Sequence, residues 1–194
     1  MEILLATQNE HKKEEIIAML PQNFLLKTFK DYDFNGDIEE TGKTFEENAY
    51  IKAKFGYDLS HIPCFSDDSG MVVEALNGEP GIYSARYAGT GDFKDNIAKV
   101  LKNMRDVAYR NAYFISVICW VSEKETRYFE GRVYGTISTE VRGVHGFGYD
   151  PIFIPNGYTH SFAEIAPEKK NQISHRAIAL EKFKNFLDSQ SVNF

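Results

Sequence analysis

The sequence predicts an α/β fold in a single domain, either one compact body or two closely joined lobes. Three observations lead there. Short apolar runs of strand character alternate with segments whose apolar residues recur at helical spacing. Two long β-rich runs, Ala112 to Ser122 and Thr126 to Thr139, flank a charged Glu123-Lys124-Glu125 turn, the pattern of an antiparallel hairpin. Hydrophobic residues make up 43% of the 194, enough for an ample core, and no internal repeat, low-complexity tract or long linker divides residues 1–194.

Along the chain, Ile3 to Ala6 is an apolar run that gives way at Thr7-Gln8-Asn9 to a charged segment with apolar positions at Ile16, Ile17 and Leu20. That is strand, loop, helix, with Pro21 expected to end the helix. Phe24 to Phe29 follows as a second strand, and Asp31 to Gly42 as a polar, acidic loop. Thr44 and Glu47 form a capping box for a helix running to about Leu59. On that helix Ala49, Ala53 and Gly56 make a small-residue face, while Asn48 and Lys52 share another.

Pro63 to Ser66 is expected as a strand entering Asp67-Asp68, and Met71 to Leu76 as another leaving it. Asn77-Gly78 and Pro80-Gly81 mark turns, and Asp92 to Met104 a helix. After the hairpin comes a glycine-rich stretch from Gly143 to Pro151, then a brief strand at Ile152 to Ile154. One final helix is expected to carry Ile173, Ala177, Leu180, Phe183 and Leu187 on a core-facing stripe.

The formal net charge of −6 argues against a broad cationic surface for nucleic acid, so bound phosphate must meet a local cluster of lysine and arginine. No apolar run approaches the ~20 residues of a membrane-spanning helix, and the first residues lack the pattern of a signal peptide. A cytoplasmic protein is expected. The two cysteines, Cys64 and Cys119, sit in apolar strand-like runs and are expected as reduced, buried thiols.

Four local features suggest chemistry. Asp67 and Asp68 adjoin at a strand end, where like charges repel unless solvent, a proton or a cation relieves them. Magnesium is commonly held by one or two carboxylates plus substrate phosphates, and Glu39 or Glu40 offers a second carboxylate. The same Asp-Asp-Ser-Gly string also fits a solvated turn. Thr7, Asn9 and Lys12 lie where a strand feeds a helix amino terminus, which suits either an anion or an ordinary cap, and this is no Walker A loop. Gly146-Phe147-Gly148-Tyr149-Asp150-Pro151 sets two aromatics among glycines, fitting a ring stacked on a base or a tight turn packed by its own rings. His175 and Arg176, early in the last helix and off its stripe, fit donors to base carbonyls or solvated surface. No nucleophilic triad stands out, and His11, His61, His145 and His160 lack zinc-ligand spacing.

Taken in order, Thr7-Gln8-Asn9-x-x-Lys12, Glu39-Glu40-Thr41-Gly42-x-Thr44-Phe45-x-Glu47-Asn48-Ala49 with Lys52-Ala53, Asp67-Asp68-Ser69-Gly70, Pro80 to Tyr87, Gly146 to Pro151 and Ile173-Ser174-His175-Arg176 resemble the inosine/xanthosine triphosphate pyrophosphatase family. The resemblance implies an elongated α/β fold whose central, curved mixed sheet, flanked by helices, separates two lobes with a nucleotide cleft between them. It also implies a homodimer. The implied reaction is hydrolysis of (deoxy)inosine and xanthosine triphosphates to the monophosphate and pyrophosphate. By the same resemblance, Thr7, Gln8, Asn9, Glu10, His11, Lys12 and Lys52 grip the triphosphate, and Glu40 and Asp68 hold Mg²⁺, with Mn²⁺ a possible substitute. Asp68 is the implied proton acceptor and Ser69 a substrate contact. Phe147, Gly148, Tyr149 and Asp150 form the implied base loop, and Lys170, His175 and Arg176 complete the contacts. Gln8, where many members have glycine, and Val144-His145, where a small Thr/Ser-Gly pair is common, depart from the pattern. The expected mechanism has Asp67 or Asp68 orient or deprotonate a water, each carboxylate raising the other's pKa, and has His175 or Arg176 read a 6-keto oxygen. A pyrophosphatase for another modified nucleotide and a non-catalytic nucleotide sensor are the alternative readings.

Overall fold

A computed structural model describes residues 2–20 and 24–191. The elements run β1 (Glu2–Leu5), α1 (Glu10–Met19), β2 (Leu25–Thr28), α2 (Phe45–Ser60), β3 (Cys64–Val73), α3 (Phe93–Asn103), β4 (Asn111–Val121), β5 (Thr126–Ile137), β6 (Phe153–Pro155), α4 (Pro167–Ile173) and α5 (His175–Ser191). Short 3₁₀ turns punctuate the connections, among them Gly81–Arg86. One six-stranded sheet has the order β2-β1-β3-β4-β5-β6. It is mixed, because β1 runs parallel to β2 and to β3 whereas β5 and β6 are antiparallel. The expected hairpin is β4 and β5, closed by the Ser122 N–H donating to the Glu125 carbonyl. Among the described residues no helix is long and apolar enough to cross a membrane.

The chain divides into two compact units. Unit 1 holds the chain up to Asp68, Ser116–Gly131 and the chain from Arg176, and unit 2 holds Ser69–Ile115 and Arg132–His175. In unit 1, one core joins Ile3, Leu5 and Phe65 to Ile16 of α1 and to Ala179, Leu180, Phe183 and Leu187 of α5. The alternate residues Leu4, Ala6 and Cys64 enter a separate core with Phe29 and Tyr57. Neighbouring strand residues point to opposite faces, so β1 and β3 are covered on both sides and read as continuous apolar runs. The small face of α2 works as expected: a Cβ on Gly56 would lie 2.5 Å from the Cys64 sulfur, so helix and strand touch at backbone distance. In unit 2, Met71 and Val73 pack with Ile97 and Val100 of α3, with Met104 at its cap, and with Phe114, Phe153 and Phe162.

Local signals set the helix starts. The Asn9 side chain caps α1 by accepting from the Lys12 N–H, and Thr44 caps α2 through the Glu47 N–H. Two expectations fail. Asp67-Asp68 does not interrupt the chain between two strands, because β3 passes through it unbroken and both carboxylates are buried. Cations wait on each face, so neither side chain needs the solvated turn that its charge alone suggests. Nor is the last helix one piece. It breaks at Ser174, whose backbone is extended (φ −72°, ψ 159°), leaving Ile173 in α4 and His175 at the start of α5. Pro21 lies outside the described residues, and α1 ends at Met19 with Leu20 as its cap.

Candidate active site

In unit 1 the charged residues sort by the faces of β3. Ser66 and Asp68 point toward α2, the Ser66 hydroxyl donating to the Ala49 carbonyl. There the Lys52 Nζ stands 2.6 Å from Glu40 Oε1 and 3.2 Å from Asp68 Oδ1. Burial pushes the Asp68 carboxyl up; Lys52 and Lys12 pull it back, Glu40 and Asp67 add to the push, and the net direction is upward. Lys52 is held above its ordinary value, because Asp68 and Glu40 outweigh the desolvation that opposes its charge. The second oxygen of Asp68, Oδ2, is buried without a hydrogen-bond partner.

That orphaned oxygen tests the site for a cation. Two carboxylates, one with a bare buried oxygen, gather around a single positive charge now supplied by Lys52. Among the described residues no three His, Cys, Asp or Glu side chains group to hold a metal. The donor set therefore fits a hard cation that takes one or two carboxylates and finds its other oxygens on substrate and water, and does not fit an all-protein cage.

Asp67 points the other way. Its Oδ2 lies 2.9 Å from Lys12 Nζ and 3.6 Å from an Arg176 nitrogen, and the Ser116 hydroxyl donates to Oδ1. Arg176 also pairs with Glu15 of α1. Burial pushes Asp67 up, but Lys12, Arg176 and Ser116 bring it well below the usual carboxylate range. As expected, Asp67 adds to the upward push on Asp68, but Asp67 itself is held low. The two carboxylates face opposite ways, Asp68 onto Lys52 and Asp67 onto Lys12 and Arg176.

The start of α1 brings Thr7, Asn9 and Lys12 together. Thr7 Oγ1 accepts from the Asn9 N–H at 3.3 Å, and Asn9 Oδ1 from the Lys12 N–H at 3.1 Å. Gln8 donates to the Gly36 carbonyl, tying this loop to the acidic one. Glu10 is exposed and turned to Lys30 and Lys13, which lower its pKa, and the His11 side chain is exposed.

In unit 2 the site is aromatic. Asp150 Oδ2 accepts from Lys170 Nζ at 2.6 Å and from the Phe147 N–H at 2.9 Å. Lys170 lies 5.0 Å from the centre of the Phe147 ring, a cation–π distance. Gly146 has φ +73°, and a Cβ there would fall 2.0 Å from Asp150 Oδ2, so the loop closes on this carboxylate only with glycine. Of the loop's two aromatics, Tyr149 packs inward, as a turn packed by its own rings would have it. Its ring is buried in the core and its hydroxyl donates to the Ser84 carbonyl at 2.8 Å, whereas Phe147 is half-buried, edge-on to Phe93 with ring centres 6.3 Å apart. His175 stacks on Phe114 with ring centres 4.8 Å apart and planes 11° from parallel. His175 and Arg176 are both buried, not carried on a solvated helix face. Ser69, half-buried, follows Asp68 directly on β3.

Two partners of these residues escaped the sequence reading. Ser116 was detectable in principle, as a polar residue inside the apolar run from Phe114 to Val121. Glu15 carries no local signal, since its partner lies 161 residues away.

The sequence profile of the Ham1 family matches residues 3–186. A dITP/XTP pyrophosphatase of Porphyromonas gingivalis is 44% identical over 95% of this chain and 96% of its own length. One from Thermoanaerobacter pseudethanolicus is 44% identical over 96% of each. Among solved structures, the Staphylococcus aureus Ham1 protein superposes with a TM-score of 0.91 at 38% identity, covering 98% of this chain and 100% of its own. With a family profile matched along almost its whole length and relatives at 44% identity, this chain belongs to the Ham1 family.

Proposed function

We propose that this protein hydrolyses non-canonical purine nucleoside triphosphates, dITP and XTP among them, to the monophosphate and pyrophosphate; its relatives are named dITP/XTP pyrophosphatases. The observation that carries the reading is Lys52 between Glu40 and Asp68, with Asp68 Oδ2 left bare. Glu40 and Asp68 would hold a divalent cation, magnesium with manganese as a substitute, which when bound neutralises phosphate charge. Lys12, Lys52 and the backbone N–H groups opening α1 take the triphosphate oxygens. Asp68 orients a water and accepts its proton as the water oxygen bonds to the α-phosphorus. The bond from that phosphorus to the α,β-bridging oxygen breaks, and pyrophosphate leaves. An upward-shifted carboxyl suits this task better than the depressed Asp67.

Phe147 stacks on the base, while Asp150 and Lys170 hold the loop in shape. His175 and Arg176 are the donors this reading assigns to a 6-keto oxygen, an acceptor that the 6-amino group of adenine does not offer. A homodimer belongs to the same reading and rests on the resemblance, while the cytoplasmic location rests on the sequence pattern alone.

Pyrophosphate release from inosine, xanthosine, guanosine and adenosine triphosphates, with and without magnesium, tests the reading. Magnesium-dependent turnover with inosine and xanthosine well ahead of adenosine is expected. Equal rates for inosine and adenosine would overturn the base selectivity, and undiminished turnover in excess chelator would overturn the cation site.

A further inference from the structure

The acidic loop that carries Glu40 is fastened to α2 at three successive points. Lys43 N–H donates to Glu47 Oε2 at 2.5 Å, Gly42 N–H donates to Asn48 Oδ1 at 2.9 Å, and Lys52 Nζ donates to Glu40 Oε1 at 2.6 Å. As the loop runs back from 43 to 40, its partners climb α2 from 47 to 52. The three fastenings differ in exposure. Glu47 is exposed, so water competes for its bond, whereas Asn48 is wholly buried. The Lys52 bond is the one that substrate and cation would claim, whereas the Asn48 contact, two residues from Glu40, involves neither.

Two details single out Asn48. A Cβ on Gly42 would lie 2.6 Å from Asn48 Oδ1, 2.7 Å from the Glu47 Cβ and 2.9 Å from the Asn48 nitrogen, so the loop approaches the helix as closely as glycine alone allows. Asn48 Nδ2 is buried with no hydrogen-bond partner. The Gly42 N–H identifies the other amide atom as the oxygen, so this bare atom is the nitrogen. An unmet buried donor is a standing cost that an apolar side chain would not carry.

We propose that Asn48 is a positioning residue for Glu40: by holding Gly42 against α2 it fixes the carboxylate at the distance from Asp68 that a divalent cation needs, without touching the cation or the substrate. The proposal rests on the reading of Glu40 and Asp68 as cation ligands.

The test measures free Mn²⁺ by electron paramagnetic resonance, with each protein saturated by a non-hydrolysable inosine triphosphate analogue, so that binding is read without turnover. Loss of one buried hydrogen bond at the loop should weaken Mn²⁺ binding about tenfold in Asn48→Ala. Gly42→Ala, which forces the loop outward while leaving the amide intact, should do the same. Asn48→Asp, which keeps an acceptor for the Gly42 N–H, should restore most of the affinity. Circular dichroism melting shows which variants are folded, and Gly42→Ala, at the half-buried end of the contact, carries the test if Asn48→Ala is not. Glu40→Gln and Asp68→Asn separate the two levels of the argument. If they leave Mn²⁺ affinity intact, the cation reading fails. If they abolish it while folded Asn48→Ala and Gly42→Ala bind as tightly as the parent, the role of Asn48 alone fails.

Discussion

Unit 1 and unit 2 are built from different forces. In unit 1 the candidate side chains are ions in opposed sets: Lys52 with Glu40 and Asp68 on one face of β3, Lys12 and Arg176 with Asp67 on the other. In unit 2 they are rings and a backbone loop, Phe147 beneath Lys170, His175 against Phe114 and Tyr149 sunk in the core, with Asp150 as a clamp. A triphosphate is charge with little shape, and a purine is shape with little charge. On the proposed reading, changes in unit 1 should appear as lost turnover or stability and changes in unit 2 as weakened binding.

The largest expected effect is at Asp68. Asp68→Asn keeps the volume but cannot accept the proton, and pyrophosphate release should fall by about 10²–10⁴-fold with the melting temperature near that of the parent. Full activity at saturating magnesium would sink the assignment. Asp67→Asn should break the other side of the comparison by destabilising the fold. Removing one charge of a buried cluster costs about 3–5 kcal/mol, here by leaving Lys12 and Arg176 short of their counter-charge. Its pH dependence follows from a folded-state pKa below the ordinary value of 3.8. The stability that Asp67 supplies is fully present above that value and is lost as pH falls from there toward the folded pKa. Denaturant melts of parent and Asp67→Asn should therefore differ at pH 7 and converge in strong acid. A difference independent of pH would mean that charge is not what Asp67 contributes.

In unit 2, Phe147→Ala should raise KM about tenfold for inosine and adenosine triphosphates alike, because stacking is worth roughly 1–3 kcal/mol whatever the base, and should leave kcat nearly unchanged. A selective loss for inosine would make Phe147 a reader of the base edge instead of a platform. The smallest change is expected from Tyr149→Phe, which removes the hydroxyl from the Ser84 carbonyl. A cost of about 1 kcal/mol in stability with kinetics intact would fix Tyr149 as a core residue.

The sequence made some of this legible and concealed the rest for identifiable reasons. Helix starts at Asn9 and Thr44 were readable because a cap is a contact over three residues. The small face of α2 was readable because Ala49, Ala53 and Gly56 repeat at helical spacing. Asp67-Asp68 was misplaced because local charge argues for a turn, whereas the cations that permit a buried strand come from α1, α2 and α5. The break at Ser174 was hidden by an apolar stripe that continues across it, with Ile173 packed on unit 2's core and Leu180 in unit 1's. Glu40, Asp68 and Lys52 were marked by resemblance; their shared contact is a fact of three dimensions.

The unbroken course of β3 has a consequence for how this gene can vary. Because side chains alternate along a strand, inserting or deleting one residue between Cys64 and Asp67 would exchange the two carboxylates' surroundings, handing Asp68 to Lys12 and Arg176 and Asp67 to Lys52. The letters Asp-Asp would survive while the chemistry was inverted. Length in this stretch is therefore expected to be under tighter selection than the identity of some of its apolar residues, and a library that tolerates substitutions at Cys64 or Phe65 should contain almost no functional frame-preserving indels there.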